Sequence, residues 1–311
     1  MGLLSIQSVL ITGVAGFLGR YIARHFFEKG WRVIGIDITS PENAPLSYLE
    51  SYYSLILPSA DLERILVEKK PDCCVHCAGR AAVSLSMTDP LADYQSGPPL
   101  VFFILNSLRR VVPDCKFVFL SSAAVYGNPV RLPVAETDLA VPLSPYGYHK
   151  WQSELIVEEF ARIYKLPTAS IRIFSAYGPG LRRQVLWDIC RKIFTESTVI
   201  LHGTGYETRD FIHALDVALG VEIVTTHGQF IGEAYNLASG VQVAIKDIAS
   251  KLVNHSKLEK IVTFDGEIPS GTPRWWQADT SRIEKLGFHA QVNFESGLMT
   301  FTDWCRTELN G

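Results

Sequence analysis

Three residues in this chain, Ser122, Tyr146 and Lys150, are of types that together can move a proton. Tyr146 and Lys150 stand four apart in SPYGYHK, one turn of a helix, so their side chains leave the same face. A phenol has an ordinary pKa of about 10 and is a poor base at neutral pH, but an ammonium one turn away favours the phenolate. The spacing therefore predicts a tyrosine whose pKa is lowered by its lysine, with the Ser122 hydroxyl donating to the same substrate oxygen. Tyr-x-x-x-Lys also occurs on many exposed helix faces, so the weight falls on the elements that would position it.

The first of these is SVLITGVAGFLGRYIARHF, which reads as an apolar strand from Ser8 to Thr12, a turn at Gly13, Gly16 and Gly19, and an amphipathic helix. In a dinucleotide fold such glycines make the tight turn, let backbone N–H groups approach a pyrophosphate at the helix N-terminus, and let the helix pack closely on the strand. A second strand, Trp31 to Ile36, ends in Asp37, about where the acid that takes ribose hydroxyls belongs. A carboxylate there repels a 2′-phosphate, which favours NAD over NADP.

Strands and helices alternate through residue 174, with strands beginning near Val9, Arg32, Cys73, Lys116 and Thr168. That order predicts an α/β chain with a Rossmann-type doubly wound parallel sheet covered on both faces. After Gly180 the pattern becomes mixed, as expected of a smaller α/β substrate-binding lobe. A chain of 311 residues, 47% hydrophobic and 20% charged, is long enough for two lobes and a large core. Its net charge of −3 offers no basic surface to nucleic acid. No run approaches the roughly 18 apolar residues of a membrane span. The run Gly2 to Leu10 lacks the length and basic start of a signal peptide; it is read as part of a first strand, and the chain as cytoplasmic.

Six cysteines without framework spacing suit a reducing compartment. Cys74 and Cys77 form a CxxC, but in a strand Cys73, Val75 and Cys77 face one way while Cys74 and His76 face the other. The pair does not converge, and no metal site is predicted.

Seven segments in order carry a resemblance: GVAGFLG, HCAG (His76 to Gly79), LSSAAVYG (Leu120 to Gly127), SPYGYHK, IRIFSAYGPG (Ile171 to Gly180), TRDFIHALDVA (Thr208 to Ala218) and YNLASG (Tyr235 to Gly240). Through them nearly the whole chain resembles the extended short-chain dehydrogenase/reductase family, the NAD-dependent nucleotide-sugar epimerases, dehydratases and reductases that include UDP-glucose 4-epimerase. The resemblance implies an NAD-binding lobe of residues 1–174, with 208–238 returning to it, and a substrate lobe built mainly from 175–207 and 239–311.

It also implies roles. Ser122, Tyr146 and Lys150 match the family's catalytic residues: Lys150 holds the nicotinamide ribose, Tyr146 removes a proton from a sugar hydroxyl, Ser122 bonds that oxygen, and hydride passes between sugar carbon and nicotinamide. Gly13, Gly16, Phe17, Leu18, Gly19, Asp37, Ala78 and Gly79, with Tyr146 and Lys150, would hold the cofactor. Ser175, Arg209 and Arg274 would meet a nucleotide-diphosphate sugar, a guanidinium fork suiting the diphosphate. A salt bridge to a nearby acid is the other reading of Arg209. Arg182 and Arg183 would meet phosphate if the family's loop is kept. In the family the helices near 98–110 and 146–164 pair across a homodimer. LVFFILNSL (Leu100 to Leu108), apolar almost all round, is compatible with that pairing or with deep burial in one subunit.

The departures from the family pattern narrow the reaction. The 4,6-dehydratases place an acid where this chain has Ala124, and GDP-fucose synthase uses a cysteine near Ala124 and a histidine near Gln184. Both sets are absent. What remains is oxidation and reduction at one carbon: a 4-epimerase-like enzyme working through a keto intermediate or, alternatively, an NAD(P)H-dependent reductase of a nucleotide 4-keto-6-deoxysugar. A non-catalytic dinucleotide-binding protein would not need to keep Ser122, Tyr146 and Lys150 together. Elsewhere the family's adenine-contacting Asp aligns near Leu55, its Asn-Val-x-Gly-Thr is Gly97 to Val101, Ser175 replaces an Asn, and Pro269 falls at a second diphosphate arginine for which Arg274 lies close enough to substitute.

Overall fold

The computed structural model describes residues 7–310. The run Gly2 to Leu10 is therefore described only from Gln7; residues 2–6 of that predicted strand lie outside the described residues. The first half of the chain alternates strand and helix. Its strands are β1 (Ser8–Thr12), β2 (Arg32–Asp37), β3 (Ser51–Ser54), β4 (Cys73–His76), β5 (Lys116–Ser122) and β6 (Thr168–Ile173). Between them run α1 (Phe17–Glu28), α2 (Asp61–Lys69), α3 (Val83–Thr88), α4 (Pro90–Gln95), α5 (Pro98–Val111) and α6 (Pro145–Tyr164). The second half contains β7 (Ser175–Tyr177), α7 (Gln184–Thr195), β8 (Val199–Leu201), β9 (Thr208–His213), α8 (Ala214–His227), β10 (Ile231–Leu237), β11 (Gln242–Ala244), α9 (Ile245–Ser256), β12 (Val262–Phe264), α10 (Ser281–Glu284) and α11 (Phe294–Asn310).

Seven strands form one sheet in the order β10-β6-β5-β4-β1-β2-β3, and every pairing in it is parallel. β1 is buried at all five positions, as a strand covered on both faces must be. One face packs on α1 and α8 through a core that includes Val9, Ile11, Ile22, Phe26, Val221 and Val224; the other packs on α2, α5 and α6 through Leu10, Ile34, Leu66, Ile104 and Phe160. Chain order reverses about β1, with β2 on one side and β4 on the other, so a crevice opens beyond the carboxyl ends of these strands.

The smaller lobe holds a three-stranded sheet, β11-β9-β7, and a β12-β8 pair over a core of Ile189, Ile193, Ile248, Leu298 and Phe301. β9 belongs to this small sheet, so the segment that returns to the large sheet begins at Ala214 with α8 and ends in β10. Residues 208–213, which the resemblance groups with the segment returning to the NAD-binding lobe, pair here with β7 and β11.

A buried polar network joins the lobes. Arg172 on β6 donates to Glu154 on α6 at 2.7 Å and to the Tyr126 hydroxyl at 2.8 Å. Tyr126 donates to Asn236, whose amide donates in turn to the carbonyls of Val134 and Asp279 at 2.9 and 3.1 Å. Removing one partner of such a buried ion pair strands the other charge, at a cost of about 3–5 kcal/mol.

Candidate active site

The glycine turn is built so that no side chain fits. Gly13 has φ +73°, and a Cβ there would stand 2.6 Å from the Ala78 backbone nitrogen; a Cβ on Gly19 would strike the Gly13 carbonyl. β1 and the segment after β4 thus approach backbone to backbone, leaving the first turn of α1 open at its N-terminus. A cavity of about 840 Å³ runs from Gly13, Ala15 and Gly16 past Asp37 to Ile38, Leu55, Leu57 and Pro58, with Ala78 and Gly79 on its other wall. Asp37 ends β2 as the sequence placed it. Its Oδ2 accepts from the Ala15 N–H at 2.9 Å and its Oδ1 from the Thr39 N–H and hydroxyl at 3.0 and 2.9 Å. A carboxylate offers about four lone-pair sites, so capacity for ribose hydroxyls remains. A helix N-terminus beside the cavity, a fixed carboxylate and an apolar far end fit a dinucleotide with its adenine among aliphatic side chains. Leu55, standing where an acid was expected, lines that far end.

A second cavity, of about 430 Å³, shares Gly13, Gly16, Cys77 and Gly79 with the first and adds Phe17, Leu18 and Gly19. Ser122, Tyr146 and Lys150 all line it. Each is set by its element. Ser122 ends β5 and caps the turn that follows, accepting from the Ala124 N–H at 3.2 Å. Ser144 caps α6 through the Gly147 N–H at 3.2 Å and Pro145 opens it, which fixes Tyr146 in the first turn and Lys150 one turn on. The Tyr146 N–H donates to Ser86 on α3 at 3.1 Å. Lys150 donates to the Leu120 carbonyl at 2.7 Å and lies 4.7 Å from the centre of the Phe119 ring.

The electrostatics differ from the sequence reading at one point. Burial raises the Tyr146 pKa above its ordinary value, against the lowering influence of a hydrogen bond with Ser122 and of the Arg183 charge. Lys150, expected to bring the phenol down, is itself lowered by burial to about 8. Tyr146 packs against a cluster that includes the turn Ala123–Tyr126, Phe174 and Trp276, and desolvation of a phenolate there outweighs the Ser122 hydrogen bond and the Arg183 charge.

The substrate residues are more dispersed. Ser175 opens β7, Arg209 lies on β9, and Arg274 is exposed beside Trp275; none of them lines the second cavity. Arg209 stands two aromatic rings away. Its guanidinium is 5.5 Å from the centre of Trp276, which meets Phe174 edge-on at 5.9 Å, and Phe174 lines the cavity. Burial lowers the Arg209 pKa to about 10, and among the described residues no carboxylate lies within salt-bridge reach of it. The acid partner offered as its other reading is thus not seen. Arg182 and Arg183 both line the cavity, Arg182 tied to Glu308 at 2.6 Å.

The CxxC alternates as a strand should: Cys73 and Val75 lie in one core layer and Cys74 in the other, with all six cysteines free. Two further features border Lys150. His149 Nδ1 stands 2.5 Å from Oδ2 of buried Asp93 on α4, and His76 Nδ1 stands 2.6 Å from the Thr12 hydroxyl between two phenylalanine rings. The only sequence signal for the first was the histidine inside SPYGYHK itself; its acid partner lies 56 residues away.

A family model described as NAD dependent epimerase/dehydratase family matches residues 9–238. A putative UDP-glucose 4-epimerase of Methanocaldococcus jannaschii is 26% identical over 309 residues, covering 96% of this chain and 98% of its own. A dTDP-glucose 4,6-dehydratase of Shigella flexneri is also 26% identical, over 341 residues, covering 98% of this chain and 94% of its own. Among solved structures, UDP-glucuronic acid 4-epimerase from Bacillus cereus, in complex with UDP-glucuronic acid and NAD, matches with a TM-score of 0.88 at 24% identity, covering 97% of this chain and 100% of that one. At that identity the likeness bears on the fold. No helix among the described residues is long and apolar enough to cross a membrane.

Proposed function

Since the chain belongs to the NAD-dependent epimerase/dehydratase family, we propose that it acts as a nucleotide-sugar epimerase of the 4-epimerase kind, oxidising a sugar hydroxyl to a ketone and reducing it again. One observation carries the choice. The cavity that brings Ser122, Tyr146 and Lys150 together is lined by no Asp, Glu or His among the described residues. A 4,6-elimination needs a second acid–base pair at neighbouring carbons, whereas oxidation and reduction at one carbon need a single proton carrier.

In this reading Gly13, Gly16 and Gly19 leave room for the pyrophosphate at α1, Phe17 and Leu18 lie beside it, and Asp37 takes the adenosine ribose. Ala78 and Gly79 form the facing wall. The chemistry that bound NAD would supply there is reversible hydride transfer with the sugar carbon. Lys150 holds the nicotinamide ribose. Tyr146 Oη takes the proton of the sugar hydroxyl as that carbon is oxidised and gives it back on reduction, while Ser122 hydrogen-bonds the same oxygen in both states. Arg209, a cation with no carboxylate within salt-bridge reach among the described residues, is suited to the diphosphate, with Ser175 and Arg274 flanking the nucleotide sugar.

We assign a homodimer through α5 and α6, whose Phe102, Leu155 and Ile163 remain 44%, 48% and 68% exposed. Light scattering of the purified protein checks it. A cytoplasmic location is supported by six free thiols.

The test is turnover. Purified protein is examined for bound NAD by mass spectrometry and then incubated with UDP-, GDP-, dTDP- and CDP-sugars. A C4 epimer formed without net consumption of NADH supports the proposal; stoichiometric loss of NADH with a 4-keto sugar shows the reductase instead.

A further inference from the structure

Lys150 carries its charge in an enclosed place, and Asp93 shares that place. Among the described residues the ammonium has one hydrogen-bond acceptor, the Leu120 carbonyl, although Nζ has three donors. Glu154, one turn further along α6, is already engaged by Arg172 and by the Ser121 hydroxyl. Asp93 is 3% exposed and, with His149, Tyr146, Lys150 and Ser153, lines a third cavity of about 10 Å³, room for about one water molecule. At 2.5 Å from a carboxylate, His149 Nδ1 must be the donor. That bond engages one carboxylate oxygen of Asp93 and leaves the other without a side-chain donor among the described residues.

We propose that Asp93, oriented by His149, is a positioning residue for the proton-transfer pair: its buried charge, acting across the small cavity the two residues share, keeps Lys150 an ammonium able to hold the nicotinamide ribose. The inference rests on the NAD-binding role proposed above for Lys150.

The other ionisable groups that face Lys150 do not supply that charge. His76, at the end of β4, is held neutral by burial, its pKa falling to about 3, and burial pushes the Cys77 thiol up and so keeps it protonated. Arg80 pairs with Asp89 at 2.9 Å, Tyr146 is raised by burial, and Glu154 is matched by Arg172. Burial draws Lys150 down; Asp93 and Glu154 act against it, and among the described residues only Asp93 of these two has no arginine within salt-bridge reach.

NADH binding, followed by cofactor fluorescence from about pH 6 to 10, reads the charge on Lys150 directly. In the unaltered protein the affinity is expected to fall as pH rises through about 8, where the lysine loses its proton. Asp93→Asn is expected to move that limb down by about one pH unit, a tenfold change in proton affinity. His149→Lys, which leaves the carboxylate but gives it a permanent cation, moves the limb the same way. His149→Gln keeps the charge and leaves the limb in place. An unmoved limb in whichever of Asp93→Asn and His149→Lys retains its native circular dichroism overturns the proposal. So does an equal shift in His149→Gln, which would assign the effect to packing. Failure of the unaltered protein to bind NADH at any pH is a different result and removes the cofactor role itself.

Discussion

The Lys150 ammonium lies 5.8 Å from the centre of the Tyr146 ring, and its hydrogen bond goes to the Leu120 carbonyl at 2.7 Å. That bond engages the main chain rather than the phenol. In the enclosed cavity desolvation is the largest influence on Tyr146 and raises it. The base is thus held in reserve, largely protonated at neutral pH, and the Ser122 hydrogen bond and the Arg183 charge work to release it.

Replacing Tyr146 by Phe tests the proton carrier alone. The ring still fills its place against the apolar cluster that includes Ala124, Phe174 and Trp276, so the unfolding midpoint and NAD affinity are expected to stay near those of the parent. Turnover is expected to fall by about 10²–10⁴-fold, the usual contribution of a positioned acid–base group. Steady-state rates beside a calorimetric NAD titration check it, and activity retained in this variant counts against Tyr146.

Asp37 has two functions that substitution can separate. Its oxygens tie Ala15 and Thr39 into the turn, and its charge repels a 2′-phosphate. Asp37→Asn keeps a similar shape and some acceptor capacity, so it is expected mainly to narrow the preference for NAD over NADP. Asp37→Ala is expected also to weaken NAD binding, by about tenfold or about 1.4 kcal/mol, because a charge-assisted contact and the turn's anchor are both lost. Binding constants for both cofactors decide it; unchanged discrimination in both variants rejects the role.

Local signals in the sequence were enough to locate the glycine turn, Asp37 and the Tyr146–Lys150 pair, because each depends on short-range geometry: a strand–turn–helix unit and one helical turn. Features set by distant residues were not legible. Whether Tyr146 is pulled down or pushed up depends on packing by Phe174 and Trp276, far along the chain. β9 joins the small sheet because its partners are β7 and β11, yet its buried Phe211, Ile212 and His213 read like any strand of the large sheet. Asp93 meets His149 only once α4 lies on α6, and no periodicity announces a contact of that separation.

Arg209 carries a prediction about the substrate side alone. A guanidinium stacked near Trp276 without an acid partner gains most from an anion, so Arg209→Met is expected to raise KM for the nucleotide sugar by about 10–100-fold, the loss of a charge-assisted hydrogen bond or two. NAD affinity should not change, since Arg209 lies outside the walls of both cofactor-facing cavities. Equal loss of both affinities would point to a structural role for Arg209 instead.

His76 predicts how stability depends on pH. It is 1% exposed between Phe117 and Phe119, and burial, helped by the Lys150 charge, lowers its pKa from 6.5 to about 3. Between those values the unfolded chain binds a proton at this residue and the folded chain does not, so stability rises with pH there and is lost as pH falls from about 6.5 towards 3. The slope from this one residue is at most about 1.4 kcal/mol per pH unit. His76→Phe suits the same aromatic slot and removes the titration. Absolute stability changes as well, because the Thr12 hydroxyl loses its partner at 2.6 Å, but the slope between about pH 5 and 6.5 is expected to flatten by close to one proton. Urea unfolding at a series of pH values measures it, and an unchanged slope would mean that His76 titrates in the folded protein much as it does in the unfolded chain.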